Sequence, residues 1–168
     1  KQVTCGLFHA AAVKIDGSLW TWGYNHVGQL AQSDLVHRSS PVKVGSLTDW
    51  KQVSNGLHHT ACVKDDGTLW VFGRNGQGQL GLGDRTHRSS PVQVGLLTNW
   101  KFVSSGNYQT TAIKQDGSLW VWGQNPTGDL GTGNVTWYSS PIQVGTLTNW
   151  KFVNCGGYHT VSILDGFD

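Results

Sequence analysis

The chain contains no glutamate and no methionine, and only 13% of its 168 residues are charged. All ten acidic residues are therefore aspartates. Without Glu, and with much Gly, Thr, Val and Trp, little in the sequence makes helix and much suits strands and turns. The 12 Lys and Arg stand singly and leave a net charge of only +2, too weak and dispersed for a nucleic-acid footprint, so no nucleic-acid partner is expected. No apolar run approaches the length of a membrane span. No signal peptide is visible, and the first residue is Lys1 rather than Met, so the expectation is a chain processed, trimmed or cut from something longer. Cys5, Cys62 and Cys155 are odd in number and widely spaced, which excludes a metal motif or disulfide framework and leaves them as small buried hydrophobes.

What is present in excess is Gly (23) and Trp (9), and both recur with a period of fifty. "KQVTCGLFHAAAVKIDGSLWTWG" aligns with "KQVSNGLHHTACVKDDGTLWVFG" and "KFVSSGNYQTTAIKQDGSLWVWG", and a further copy opens at "KFVNCGGYHTVSIL". About twenty of the fifty columns are identical in all three full copies. The units are residues 1–50, 51–100, 101–150 and a partial fourth at 151–168. Periods of this size belong to stacked or radially arranged units, none of which buries its apolar face alone.

Each unit reads as four short strands: "KQV", then "HTACVK", then "TLWVFG", and after a glycine-rich loop "SSPVQVG". The Asp-Gly pairs ending in Gly17, Gly67 and Gly117 give tight hairpins between the second and third strands. The fold class is all-β: β-propeller blades, about 3.4 fifty-residue repeats of four antiparallel strands. Such an arc is expected to be part of a larger propeller or assembly, with further blades, an oligomer partner or a longer parent chain covering both ends. The spacing before the last Asp-Gly, in "SILDGFD", shortens by one residue, so the chain is expected to diverge there.

The stretch Gly76 to Gly81 matches G-x-G-x-x-G, a dinucleotide-binding pattern that needs a strand before it and a helix after it. Gly76 becomes His26 and Pro126 in the other copies, and Gly81 becomes Ala31. What recurs is Gly28, Gly78 and Gly128, followed by Leu30, Leu80 and Leu130, so the loop is a structural turn and no cofactor is expected.

With these residues in view, the chain resembles the regulator of chromosome condensation repeat family. The matching elements are Gly56-Leu57-His58-His59-Thr60, "DG-x-L-W-x-W/F-G-x-N", Gly78 to Asp84, and "SSP-x-x-V". The resemblance implies a bladed propeller, and the close similarity of the copies looks more like bacterial or phage members than the eukaryotic founder. The founder is a nucleotide exchange factor for a small nuclear GTPase and binds chromatin; it uses a wedge-like insertion between strands, which no copy here carries, and that counts against exchange activity. The family's plant UV-B photoreceptor places tryptophan where this chain has Leu7, Leu57, Asn107 and Gly157, so that chemistry is not implied. Other members bind proteins through propeller loops.

Candidate chemistry is sparse. His9, His59 and His159 share a column with Gln109, and are read as buried imidazoles bonded to backbone rather than as ligands. Asp16, Asp66 and Asp116 are accounted for by turn chemistry. The "SSP" serines have no base nearby. No catalytic residue, metal or cofactor is assigned. Function is expected where the copies differ: Phe8, His58, Tyr108 and Tyr158 before the second strand, and His37-Arg38, His87-Arg88 and Trp137-Tyr138 before "SSP". The expected role is a non-catalytic protein–protein recognition or structural module. The alternatives are an exchange factor or chromatin regulator of the founding type, and a structural component of an extracellular or virion assembly. An extracellular or virion setting fits slightly better than the cytoplasm; a nuclear one follows from the founding type. Isothermal titration with NAD or GTP is expected to show no saturable heat; micromolar binding there would restore the G-x-G-x-x-G as a site.

Overall fold

In a computed structural model, residues 1–164 are described, and among them no helix occurs. The first sheet holds β1 (Gln2–Cys5), β2 (His9–Val13), β3 (Leu19–Gly23) and β4 (Arg38–Lys43). The second holds β5 (Trp50–Asn55), β6 (His59–Lys64), β7 (Leu69–Gly73) and β8 (Arg88–Gln93). The third holds β9 (Trp100–Ser105), β10 (Gln109–Lys114), β11 (Leu119–Gly123) and β12 (Tyr138–Gln143). A two-stranded sheet, β13 (Trp150–Cys155) and β14 (Thr160–Leu164), follows. Within each sheet the strands are antiparallel and adjacent in chain order. The "SILDGFD" divergence falls largely outside the described residues.

Successive sheets stack face to face, which is why the middle strands are buried on both sides rather than alternating. Every residue of β6 and β10 is buried. One face of the first sheet (Ala11, Val13, Leu19, Val44) meets the opposite face of the second (Trp50, Val53, Cys62, Phe72). The same pattern joins the second sheet (Ala61, Val63, Leu69, Val71) to the third (Trp100, Val103, Ala112, Trp122). The dependence on a neighbour is visible at equivalent positions. Val53 and Val153 are 0% exposed, but Val3, with no sheet over it, is 66% exposed. Ile113 is 0% exposed where its counterpart Ile163 is 55% exposed.

Backbone and side-chain bonds reinforce each seam. Trp50 N–H donates to the carbonyl of Gly17 in the preceding hairpin (3.1 Å), and Trp100 N–H to that of Gly67 (3.0 Å). Along the innermost strands, Gln2 Oε1 accepts from Val53 N–H, and Gln52 Oε1 from Val103 N–H, each at 3.0 Å. The third and fourth repeats replace this with an aromatic contact between Phe102 and Phe152, 5.1 Å between centroids. The "SSP" motif also belongs to a seam. Ser33 N–H donates to Ser89 carbonyl (2.9 Å), and Gly83 N–H to that of Ser139 (2.7 Å), so the first two long loops dock on the outer strand of the next sheet.

Gly17, Gly67 and Gly117 have φ of 77°, 79° and 79°, and Gly28, Gly78 and Gly128 have 84°, 81° and 86°. The cysteine expectation holds for Cys62, which is buried, but not for Cys5, which is exposed at the innermost edge. Cys155 is half-buried, and its thiol lies 3.2 Å from Thr111 Oγ1.

One seam position shows size matching. Gly81 has φ 69°, and a Cβ built there would lie 2.8 Å from Trp122 Nε1. One repeat earlier, Ala31 takes φ 56° and packs in the same cluster as Phe72, the smaller counterpart of Trp122. Gly81→Ala is expected to cost about 1–3 kcal/mol in chemical denaturation, from positive φ plus overlap with the indole. Adding Trp122→Phe should make the pair cost less than the sum of the singles. Strict additivity would show that the indole does not press on this position.

Candidate functional site

Antiparallel pairing decides which loops share a face. Gly23 pairs with His9 on one side and Arg38 on the other, so the β1–β2 turn and the β3–β4 loop leave the same end of the sheet. The same holds around Gly73 and Gly123. All the variable positions singled out from the sequence therefore emerge on one face. Phe8, His58, Tyr108 and Tyr158 form an inner row, and His37-Arg38, His87-Arg88 and Trp137-Tyr138 an outer one.

The invariant columns hold that face from beneath. Asn25 and Asn75 are fully buried. Asn25 Oδ1 accepts from Leu30 N–H (2.9 Å), while its amide donates to Asp34 and Val36 carbonyls; Asn75 does the same for Leu80 and Asp84. Arg38 and Arg88 pair with Asp34 and Asp84 at 2.5 Å, within their own loops. In the third copy both partners change together: Asn134 donates to Tyr138 Oη (2.9 Å). His37 Nδ1 accepts from Asn25 N–H (2.9 Å), and His87 Nδ1 from Asn75 N–H (3.0 Å). Trp137 replaces this imidazole and is 39% exposed.

His9 and His59 are buried as expected, but His159 is exposed, and the Nε2 atoms of the buried pair reach threonine hydroxyls. Thr60 Oγ1 donates to the Gln29 carbonyl (3.2 Å), so His9 Nε2–H donates to the Thr60 hydroxyl (3.0 Å), which lies on the next sheet. His59 and Thr110 repeat this at 2.9 Å. Gln109 instead reaches the Gly157 carbonyl (3.2 Å). Burial pushes His9 down to about 4 and His59 to about 3, so both rings are neutral near pH 7. Among the described residues no cluster of His, Cys and Asp has an arrangement that would hold a metal ion.

The recurring aspartates do more than make turns. Asp66 Oδ1 accepts from Thr68 N–H (2.9 Å) and Thr68 Oγ1–H (2.7 Å), and that hydroxyl accepts from Trp70 Nε1–H (2.8 Å). Asp16–Ser18–Trp20 and Asp116–Ser118–Trp120 are the same relay. These bonds hold the three carboxyls below the usual carboxylate range. The lysine column caps the indoles: Lys64 Nζ lies 4.8 Å from the Trp50 ring and 4.6 Å from Trp70, and Lys114 lies 3.5 Å from Trp120.

On the face itself, ring contacts run from sheet to sheet. Phe8 lies 6.2 Å from His58 and 6.0 Å from Tyr24, and Tyr108 lies 6.3 Å from Tyr158. Tyr24 contacts His26 (4.5 Å) and His37 (4.3 Å), and His26 contacts His58 (5.0 Å). The Arg74 guanidinium lies 5.5 Å from the Tyr108 ring. Sequence reasoning missed Tyr24, His26 and Arg74, although their columns vary as widely as the ones it chose: Tyr24/Arg74/Gln124 and His26/Gly76/Pro126. A cavity of about 550 Å³ lined by Phe8, Tyr24, His37, Arg38 and Ser39 opens beside this row, on the edge of the first sheet.

Stacked four-stranded antiparallel sheets with a common loop face define a β-propeller blade array. The sequence pattern described as the Regulator of chromosome condensation (RCC1) repeat matches residues 16–63, 66–113 and 116–163. The chain belongs to this family. Solved structures of yeast RCC1 (Prp20) share the fold. The complex with Kap60 superposes with TM-score 0.87 at 23% identity, over 96% of this chain and 41% of that one. Human WBSCR16 superposes with TM-score 0.70 at 18% identity, over 99% of this chain and 58% of that one. Among curated relatives, the mitochondrial RCC1 domain-containing protein RUG3 of Arabidopsis thaliana is 34% identical over 50 residues, 30% of this chain and 11% of that protein. The chain thus spans about two-fifths of Prp20 and a far smaller share of the curated relative.

The depressed histidines carry a pH consequence. An unfolded chain binds a proton at each ring below 6.5, while the folded one refuses it down to about 4 at His9 and about 3 at His59. Stability should therefore fall as pH drops from 6.5 towards 4, by about 1.4 kcal/mol per unit per histidine at most. His59→Gln, the residue the third copy carries, should shallow that slope in denaturation curves taken across the range. An unchanged slope would mean that His59 is not held neutral.

Proposed function

We infer that this chain is a non-catalytic protein-recognition module, and that its partner docks on the loop face. The observation that carries this reading is the row of aromatic and imidazole rings, Phe8–His58 and Tyr108–Tyr158, in contact from sheet to sheet at positions where the repeats differ. Phe8 and Tyr158 are each 57% exposed. Large, rigid side chains of this kind are the usual anchors of protein interfaces. Trp137 extends the surface at its outer rim.

The recurring aspartates, histidines and serines are occupied structurally. Asp16, Asp66 and Asp116 bond their own turns, His9 and His59 bond threonines across a seam, and the "SSP" segments receive the preceding loop. Family membership supports a binding role: Prp20 is seen bound to Kap60, and is described as binding Gsp1p and histones. Nucleotide exchange is the rival role, and a direct assay separates the two.

The test is affinity capture from the native source with wild-type chain and with Phe8→Ala, Tyr108→Ala and Trp137→Ala variants, followed by titration of the recovered partner. Each substitution should weaken binding by about 1–4 kcal/mol while leaving the near-ultraviolet spectrum of the packed tryptophans intact. Wild-type affinity in the triple variant would remove the loop face as the interface. Accelerated nucleotide release from a recovered GTPase would replace the recognition role with exchange.

A further inference from the structure

Two arginines of the loop face, Arg74 and the exposed Arg85, pair with no carboxylate among the described residues, and of these Arg74 lies against a ring. Arg38 and Arg88 spend their charge on Asp34 and Asp84. Arg74 pairs with no carboxylate among the described residues, and its guanidinium lies against the Tyr108 ring. It follows β7 directly, anchored by a bond from its N–H to the His58 carbonyl (2.8 Å). His26, His58 and His87 surround it closely enough to feel its charge. Phe8, Tyr24 and Tyr108 flank the cluster with apolar ring surface.

Resting on the reading of this face as a recognition surface, we propose that the patch around Arg74 binds an acidic, Asp/Glu-rich protein segment, and binds it more tightly as the pH falls.

The charge pattern selects this partner. The charged and titratable groups on the loops around the patch are Arg74, Arg85, His26, His37, His58 and His87, the internally paired Asp34–Arg38 and Asp84–Arg88, and the phenols Tyr24 and Tyr108. Among the described residues no carboxylate acts on His26, His58 or His87. Desolvation first, and then the neighbouring positive charges, hold these three rings below their ordinary value. A carboxylate arriving from a partner reverses the second effect and draws protons onto the rings. Binding is therefore linked to proton uptake, and affinity rises as pH falls through the imidazole range while the partner's carboxylates stay ionised. A nucleic acid fits poorly, because two unpaired arginines, Arg74 and Arg85, neutralise too few phosphates for a stable complex. The aromatic flanks give an acidic segment apolar surface for its intervening side chains.

The repeats supply substitutions that the scaffold already carries: Arg74→Gln copies Gln124, His58→Tyr copies Tyr108, and His26→Gly copies Gly76. The measurement is fluorescence anisotropy of the whole chain with a labelled Glu-rich peptide, a matched Gln-rich peptide and a single-stranded DNA. It is made at about pH 7.5 and about pH 6, with thermal melts at each pH to verify folding. The Glu-rich peptide should bind about three- to tenfold tighter at the lower pH. Arg74→Gln should weaken it about ten- to a hundredfold at both. The His26→Gly, His58→Tyr double variant should lose most of the pH dependence. Equal binding of the Gln-rich peptide, unchanged binding by Arg74→Gln, tighter binding at the higher pH, or preference for DNA would each overturn the proposal. The partner captured natively separates the two levels. If it is lost on Phe8→Ala and Tyr108→Ala but kept on Arg74→Gln, the loop face stands and the acidic partner falls. If all three variants keep it, both fall.

Discussion

A tryptophan held at each seam is the interaction on which the rest of the molecule depends. Trp50 and Trp100 are each 2% exposed. Each ties its backbone to the preceding hairpin, packs its indole edge-on against a second tryptophan, and lies under a lysine. Burying so large a side chain stabilises by several kcal/mol, on the order of the 3–5 kcal/mol that truncating a buried Trp costs. The contribution is available only when two sheets are in register, because neither sheet encloses the ring alone. The relay from Asp66 through Thr68 to Trp70 and its counterparts in the other copies fix the second indole, so that the edge-on contact forms at one geometry.

This arrangement divides the sequence into two populations. Columns that repeat are spent on seams, hairpins and the buried asparagines that pin the loops. Most of the aromatic and imidazole columns that vary emerge on one face, while a few, such as Ala31/Gly81 and Phe72/Trp122, vary within the seams themselves. The paired change from Asp84–Arg88 to Asn134–Tyr138 shows how such drift proceeds: an ion pair becomes a neutral hydrogen bond, and the loop keeps its internal tie.

Much of the architecture was legible because strand periodicity and the fifty-residue period are local, one-dimensional signals. The four strands of each unit, the Asp-Gly hairpins and the structural nature of the glycine-rich loop follow from them. What escaped was contact across a seam. His9 with Thr60 and Ser33 with Ser89 join residues about a full repeat apart, and nothing in either local stretch says which surfaces meet. The relay from Asp to Trp was hidden for another reason: a turn role already explained the aspartate, so its second use left no residue unexplained. Phe8, His58, Tyr108 and Tyr158, singled out from column variability, lie together on the loop face. Tyr24 and Arg74 were missed because they directly follow a regular strand and read as its continuation. Cys5 was misjudged because burial at the innermost edge depends on neighbouring strands rather than on residue type.

The matching of Ala31 to Phe72 and of Gly81 to Trp122 has a historical consequence. Arrays of this kind grow by copying whole units, and a fresh copy fits any slot equally well. Once one side of a seam enlarges and the other shrinks to receive it, the units cease to be interchangeable. A second unit moved into first place would present Gly81 to Phe72 and leave a void; the first moved into second would drive the Ala31 methyl into Trp122. The seams therefore record the order of the units, and recombination that shuffles them meets a penalty at the joints before any binding surface is affected.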